Sequence, residues 1–475
     1  MILKKKWLIL AGFALLSLGN NSISLAAPIP LRGVIEGFYG TPWQEKERQD
    51  ILAFCKNKGF NAYIYAPKDD PYHRAKWREP YPHTKLLELQ ELINTAKANK
   101  VKFVFAISPG LDINFEGDKA IADRASMKNK LETMYALGVR DFAIFFDDIK
   151  DKNGVKQAEF LNWVDDNFVK KHQGVSPLIT VPTEYFRLDM QADDRIKPYT
   201  SDFANTLNKD IIVLYTGNGV VCDGITDDDY QKANEVYGRN LGIWWNYPVT
   251  DYMENKLALG PIEKLPTKSN IPAIFFNPMK YEKLSKIALA TGADYAKTPE
   301  NYDAVKSWQQ AINEQYPDLS AEMKLFASQS QHLENNWAKV GPPDDSELTK
   351  LAKAYLQKKA AGIPYAGEKK RLQERLQAIV RASQTLQDKL PNDVLKECSP
   401  QLMQLERIAS ADLLGIKMLE WQNNKDGTNK ERADLYQKFY KQYNNIKAHE
   451  KEAVISETAA MMLLEKIHDD IADRN

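Results

Sequence analysis

Short runs of unbroken apolar residues recur along the first two thirds of the chain. They begin near Gly33 (GVIEGFYG), Ala62 (AYIYAPKDD), Lys102 (KFVFAISPG), Arg140 (RDFAIFFDDI), Pro177 (PLITVPTEY), Asp210 (DIIVLYTG), Leu241 (LGIWWNYP) and Pro272 (PAIFFNP), at intervals of 29 to 40 residues. Continuous hydrophobicity is the signature of a strand buried on both faces, whereas a half-exposed strand alternates. Between most runs lie helical patterns, over 45–58 with Gly59 as a stop, 84–99, 118–137 before Gly138, and 156–172 near Gly174. The connections after the fifth to seventh runs carry weaker helix signals. Eight such units predict an α/β chain built on a TIM (β/α)8 barrel over residues 30–293. An open doubly wound sheet is the runner-up, but no GxGxxG follows the first strand.

From about residue 296 the strand pattern stops. Helical stripes run over 302–314, 321–339, 346–359, 368–389, 400–422 and 429–470, punctuated by Pro342-Pro343, Gly362 to Pro364, Pro391 and Asp426-Gly427. They predict an α-helical bundle over 296–475 that supports the barrel. Tyr436, Phe439, Tyr440 and Tyr443 are expected to pack in its core. At the other end, Lys4 to Lys6 precede an apolar run from Trp7 to Leu18 and the small-x-small pattern Ser24-Leu25-Ala26. That run is too short to span a bilayer and reads as a signal peptide over 1–26, which predicts a periplasmic or secreted protein.

Composition narrows the partners. Lys+Arg and Asp+Glu both total 64, so the net charge is zero and no basic excess marks a nucleic-acid binder. Apolar residues at 43% and charged residues at 27% suit a globular chain with no stable membrane insertion after signal cleavage. The three cysteines stand far apart and form no disulfide framework. Six histidines include no i, i+4 pair, and none sits at a strand end, where a metal-dependent barrel hydrolase places its ligands. No metal or organic cofactor is expected.

Barrel chemistry gathers at the C-terminal ends of the strands. Here those ends are polar: Glu36, Gly37 and Tyr39; Lys68, Asp69 and Asp70; Ser108; Asp147 and Asp148; Thr183, Glu184 and Tyr185; Tyr215 to Gly217; Trp244 to Asn246 with Asp251; and Asn277. Asp147 and Asp148 end a strand of four apolar residues. Neighbours on a strand face opposite ways, but beyond the last ladder bond the chain can turn both toward the mouth. Two carboxylates so close ionise together at a cost, which is expected to raise one pKa. Adjacent aspartates straddle a sugar ring poorly, since protein-nucleophile glycosidases need carboxylates about 5–5.5 Å apart across it. They suit a substrate that brings its own nucleophile. A helix-capping role for the pair is the plain structural alternative.

Seven stretches, in order, resemble glycoside hydrolase family 84, the β-N-acetylglucosaminidases that include protein O-GlcNAc hydrolases and bacterial enzymes called hyaluronidases. They are Gly33 to Gly40 with Pro42-Trp43, Tyr65 to Asp70, Ile107 to Asp112, Phe146 to Ile149, Pro182 to Tyr185, Asn246 to Pro248 with Asp251-Tyr252, and Asn277-Pro278. The resemblance implies an exo-acting, retaining, substrate-assisted glycosidase in which the 2-acetamido oxygen attacks the anomeric carbon and forms an oxazoline. By the same resemblance Asp147 would orient the acetamide and Asp148 would act as acid and then base. Gly37, Tyr39, Lys68, Tyr185, Trp244, Asn246, Asp251 and Asn277 would bind the sugar. Gly37 would admit close backbone approach or simply form a turn. Lys68 would reach a sugar hydroxyl or pair with Asp69 or Asp70. Trp244 would wall the acetamide, Asn246 would bond around Asp147, and Asp251 would hold hydroxyls or cap a helix.

Four positions depart from the family pattern: Trp245, Thr250, Tyr215 and Val181 stand where Asp, Asn, Trp and Cys are common, and they are expected to retune the pocket wall. The rival readings are a non-catalytic glycan-binding barrel and a hyaluronan-directed hexosaminidase. A polyanion favours a basic groove, and the balanced charge leans toward a neutral terminal GlcNAc on a glycoconjugate or glycoprotein.

Overall fold

Eight parallel strands close a barrel: β1 (Leu31–Glu36), β2 (Ala62–Tyr65), β3 (Lys102–Ile107), β4 (Asp141–Phe145), β5 (Ile179–Val181), β6 (Ile212–Tyr215), β7 (Gly242–Trp245) and β8 (Ala273–Phe276). They pair in sequence order, and β1 closes on β8 through Leu31 opposite Ala273 to Val34 opposite Phe276. Seven fall inside the apolar runs read from the sequence, and β1 begins two residues before its run. The computed structural model describes residues 27–150, 152–193, 195–421 and 429–472; the expected signal segment at 1–26 lies outside them.

The period-two alternation of each strand separates two cores. Ile35, Ile64, Val104, Ala106, Ala143, Phe145, Leu214 and Phe275 fill the inside of the barrel. Val34, Tyr63, Phe103, Phe142 and Ile243 face the helices outside. That two-sided burial is why the runs carry no polar alternation.

The crossover helices Glu45–Lys58, His83–Ala98, Gly117–Ala136 and Gly154–Asn167 lie where helical stripes were found, and Gly59 ends the first at φ 77°. After β5 and β6 the helices Pro198–Thr206 and Asp227–Tyr237 are shorter. No helix joins β7 to β8. That loop is held by the C-terminal region instead: Leu259 N–H donates to Ser330 O at 2.7 Å, Val454 N–H donates to Asn255 O at 2.9 Å, and Lys256 pairs with Glu457.

Beyond the barrel helix Glu282–Lys297, the helical expectation holds with three corrections. The stretch 321–339 is helical only over Ser320–Ser328; Leu333–Glu334 and Lys339–Val340 then pair as an antiparallel hairpin. The helix expected from 400 starts earlier, at Asn392, and carries Pro400 inside it. The stretch 429–470 divides into Asn429–His449 and Ala460–Ala472. Phe439 is fully buried as expected, while Tyr436 stays partly exposed and Tyr443 stacks on His468 at 4.1 Å. No helix among the described residues is long and apolar enough to cross a membrane.

Candidate active site

A cavity of about 280 Å³ opens at the C-terminal mouth of the barrel. All of the expected site residues line it: Gly37, Tyr39, Lys68, Asp147, Asp148, Tyr185, Trp244, Asn246, Asp251 and Asn277. They come from the ends of β1, β2, β4, β7 and β8 and from the loops after β5 and β7, so closure of the barrel brings them together.

Strand β4 ends at Phe145, and Phe146 N–H still donates to Val181 O at 2.8 Å. The chain then turns: Asp148 sits at φ 55°, in the left-handed region. This conformation costs about 1–2 kcal/mol outside glycine, least for Asp and Asn. It lets both carboxylates line the same cavity, which strand alternation alone would forbid. Two hydroxyls hold the turned side chain. Tyr185 donates to Asp148 Oδ1 at 2.8 Å and Tyr39 to Asp148 Oδ2 at 2.7 Å. Hydrogen bonds to a charged group contribute about 1.5–3 kcal/mol each, enough to offset the backbone cost.

At Asp148 crowding by Asp147 does not raise the carboxyl. Burial does disfavour charge on Asp148, but the Lys68 ammonium, the two tyrosine hydroxyls and Arg74 together outweigh it and hold this carboxyl below the usual aspartate range. Lys68 explains the reversal. It is buried and pairs with Asp147, not with Asp69 or Asp70 as one sequence reading had it. Asp70 instead accepts from the Tyr65 and Tyr81 hydroxyls. Burial and the Asp148 charge push the hydroxyls of Tyr39 and Tyr185 far up, so both stay donors.

Asp147 is 6% exposed, and its second oxygen, Oδ1, is buried with no hydrogen-bond partner among the described residues. A buried carboxylate oxygen left unpaired costs about 1–3 kcal/mol or more. Asp147 lines the cavity, so a molecule bound there brings its N–H or O–H groups beside this carboxylate.

A hydrogen-bonded chain of side chains lines the same cavity. Trp244 Nε1–H donates to Asn246 Oδ1 at 2.8 Å, Asn277 Nδ2–H donates to the same oxygen at 3.0 Å, and Asn246 Nδ2–H donates to Val220 O at 2.8 Å. Asn246 therefore anchors the Trp244 ring, and among the described residues it makes no hydrogen bond to Asp147, contrary to that part of its expected role. Gly37 N–H donates to Asn277 Oδ1 at 3.3 Å. A Cβ on Gly37 would lie 2.5 Å from the Trp244 ring, so the missing side chain makes room for the indole. Asp251 Oδ2 accepts from Tyr39 N–H at 2.8 Å and caps no helix, since none follows it before β8. Burial raises its pKa.

Of the four departures from the family pattern, only Val181 reaches the cavity. Trp245 and Tyr215 face the outer core, and Thr250 is buried outside the cavity lining. The sequence reading missed Val220, Val221 and Val249 in the wall and Trp337 at the rim. Trp337 sits on the hairpin, 5.0 Å from the Tyr252 ring and half exposed. Asn335-Asn336 just before it is a turn signal that could have ended the expected helix. No group of three or more His, Cys, Asp or Glu side chains that could hold a metal ion occurs among the described residues.

Residues 32–328 match the protein family described as beta-N-acetylglucosaminidase, and residues 347–462 match one described as hyaluronidase post-catalytic domain-like. The protein O-GlcNAcases of Mus musculus and Rattus norvegicus are each 31% identical over 280 residues, 57% of this chain and 30% of theirs. The chain thus spans under a third of the length of these curated relatives. Among solved structures, CpGH84B superposes with a TM-score of 0.89 at 41% identity, covering 93% of this chain and 78% of its own. A mutant of the Thermobaculum terrenum O-GlcNAc hydrolase superposes with a TM-score of 0.78 at 25% identity, covering 92% and 94%.

Proposed function

The chain belongs to glycoside hydrolase family 84, and from that premise we propose that it is an exo-acting, retaining β-N-acetylglucosaminidase that removes terminal GlcNAc by substrate-assisted catalysis. The observation that carries the reading is the unpaired Oδ1 of Asp147 in the same cavity as a hydroxyl-held Asp148.

An N-acetyl group lying along the cavity floor offers its N–H to Asp147 Oδ1. Its carbonyl oxygen attacks the anomeric carbon as the bond to the aglycone oxygen breaks, and the aglycone oxygen takes its proton from Asp148. Positive charge grows on the acetamide as the oxazoline closes. The Asp147 carboxylate, held in place by Lys68, stabilises it. Asp148 then accepts a proton from water, which opens the oxazoline at the anomeric carbon with net retention. In the open cavity Asp148 is held anionic, so it needs a higher pKa to act as acid. Burial is the largest influence on its carboxyl, and a sugar that expels water strengthens that influence. The Trp244 face and Val181 offer apolar contact to the acetyl methyl. Asp251 and Asn277 face the cavity as partners for sugar hydroxyls.

The balanced charge supports a neutral sugar terminus on a glycoprotein or glycan over a polyanion. The expected signal segment supports export and hence a substrate met outside the producing compartment.

A series of aryl β-N-acetylglucosaminides tests the acid role. Asp148→Ala should lose about 10²–10⁴-fold in turnover with a poor phenol leaving group and far less with a good one. Asp147→Asn should lose rate with both, because the oxazoline forms in either case. Equal losses across the series for Asp148→Ala would remove its acid role. A panel of O-GlcNAc peptide, chitobiose, N-glycan termini and hyaluronan oligomers then ranks the natural aglycones.

A further inference from the structure

Arg74 lies in the turns that follow β2, outside the lining of the cavity. Its guanidinium makes two side-chain hydrogen bonds among the described residues. NH1–H donates to the Tyr39 hydroxyl oxygen at 3.1 Å, and NH2–H donates to the Asp148 backbone carbonyl at 3.3 Å. The guanidinium carbon also stands 5.5 Å from the centre of the Tyr39 ring. Neither bond goes to a carboxylate, so this is not a structural ion pair.

We propose that Arg74 is a positioning residue for the acid–base step, fixing the Tyr39 hydroxyl and the turned Asp148 backbone so that the Asp148 carboxylate aims into the cavity. The inference rests on the reading of Asp148 as acid and base. A phenol oxygen carries one proton. With Arg74 donating to that oxygen, the Tyr39 proton is directed to Asp148 Oδ2, the 2.7 Å bond seen here. The second arm of the same planar fork grips the carbonyl of a residue at φ 55°, a conformation that needs support from its surroundings. One side chain thus holds the carboxylate through Tyr39 and the backbone directly.

The charged and titratable groups facing Asp148 are Lys68 beside β2, Tyr39 after β1, Tyr185 after β5, Asp147 on its own strand end, Asp251 after β7, and Arg74. Arg74 and Lys68 favour the carboxylate, and Asp147 and Asp251 oppose it. Removing Arg74 therefore lets the carboxyl keep its proton to higher pH while loosening its aim.

The test compares Arg74→Met, Arg74→Lys and Tyr39→Phe in the whole chain, by kcat against pH, which titrates the acid in the substrate complex, and across aryl leaving groups. Arg74→Met should shift the basic limb upward by about half to one pH unit. It should lose about tenfold or more with a poor leaving group and under about threefold with a good one. Arg74→Lys should restore most of the pH profile, and Arg74→Met combined with Tyr39→Phe should lose less than the product of the two single losses. An unmoved pH profile with equal losses across leaving groups, or an effect confined to KM, would overturn the proposal. If Arg74→Met is too unstable to assay, an unchanged basic limb in Tyr39→Phe overturns it as well. Asp148→Ala in parallel separates the two readings, because a flat leaving-group response there removes the acid role itself, whatever Arg74 does.

Discussion

Asp148 and Gly37 illustrate how much of this site depends on single backbone positions. Asp148 turns out of β4 at a positive φ, and that one turn separates a pair of aspartates lining one cavity from a pair on opposite faces of a strand. Gly37 makes the complementary case. Its sequence context allowed a tight turn or close sugar approach, yet the nearest obstacle to a Cβ is the Trp244 indole at 2.5 Å. The indole is tied to Asn246 and so to Asn277, and it cannot swing aside without breaking that chain. Gly37→Ala should therefore destabilise the fold by about 1–3 kcal/mol, the usual cost of overpacking. It should also raise KM more than it lowers kcat, because Trp244 walls the cavity rather than touching the reacting bond. Urea unfolding and steady-state kinetics on the same variant check both expectations.

Among the elements, the loop from β7 to β8 and the hairpin after Ser328 matter most, since both reach the cavity and neither is helical. A buried polar knot fixes the base of the hairpin. Asp345 accepts from Leu348 N–H at 3.0 Å and from Gln329 Nε2–H, and pairs with Arg375 at 2.9 Å. Ser456 donates to Gln329 Oε1 at 2.7 Å, which ties the last helix to the same point. Asp345 is 4% exposed, so removing its cation leaves an uncompensated buried charge. Arg375→Met should cost about 3 kcal/mol or more, read as a lower Tm. The loss of Trp337 from the rim should follow, read as quenching changes in tryptophan fluorescence well below Tm. Unchanged melting would show that the knot carries no stability.

Across the whole molecule, barrel and bundle dock through a carboxylate. Glu397, on the long bundle helix, accepts from Lys283 N–H at 3.1 Å and Leu284 N–H at 2.9 Å, at the start of the last barrel helix. Burial, reinforced by Glu282 and Glu47, outweighs these donors and pushes its carboxyl up to about 7. A raised folded-state pKa means the native state binds the proton more tightly than the unfolded chain does. The associated stability is complete below the unfolded value near 4.5 and is lost as pH rises toward 7. The difference of about 2.5 units corresponds to roughly 3 kcal/mol. Thermal melts of Glu397→Gln should accordingly show a smaller fall in Tm between pH 5 and 7 than the parent chain. An identical pH dependence would place the titration elsewhere.

The eight buried strands and four of the crossover helices were legible in the sequence, because burial on both faces imposes continuous hydrophobicity and helical packing imposes a period near 3.6. The site residues were legible as polar positions at strand ends and through their resemblance to a family, since closure of a barrel sends every strand end to one mouth. What the sequence did not carry were interactions between distant segments. The Lys68 partner, the Asn246 anchor, the outward facing of Trp245 and Tyr215, and the place of Trp337 at the rim depend on side chains far apart in the chain meeting in three dimensions. Local patterning records how each residue is buried, not which residue it is buried against. That is why the sequence by itself determined the barrel and its pair of aspartates. Only the tertiary structure decided that Asp147 keeps one oxygen unpaired and that Asp148 is turned, held and charged beside it.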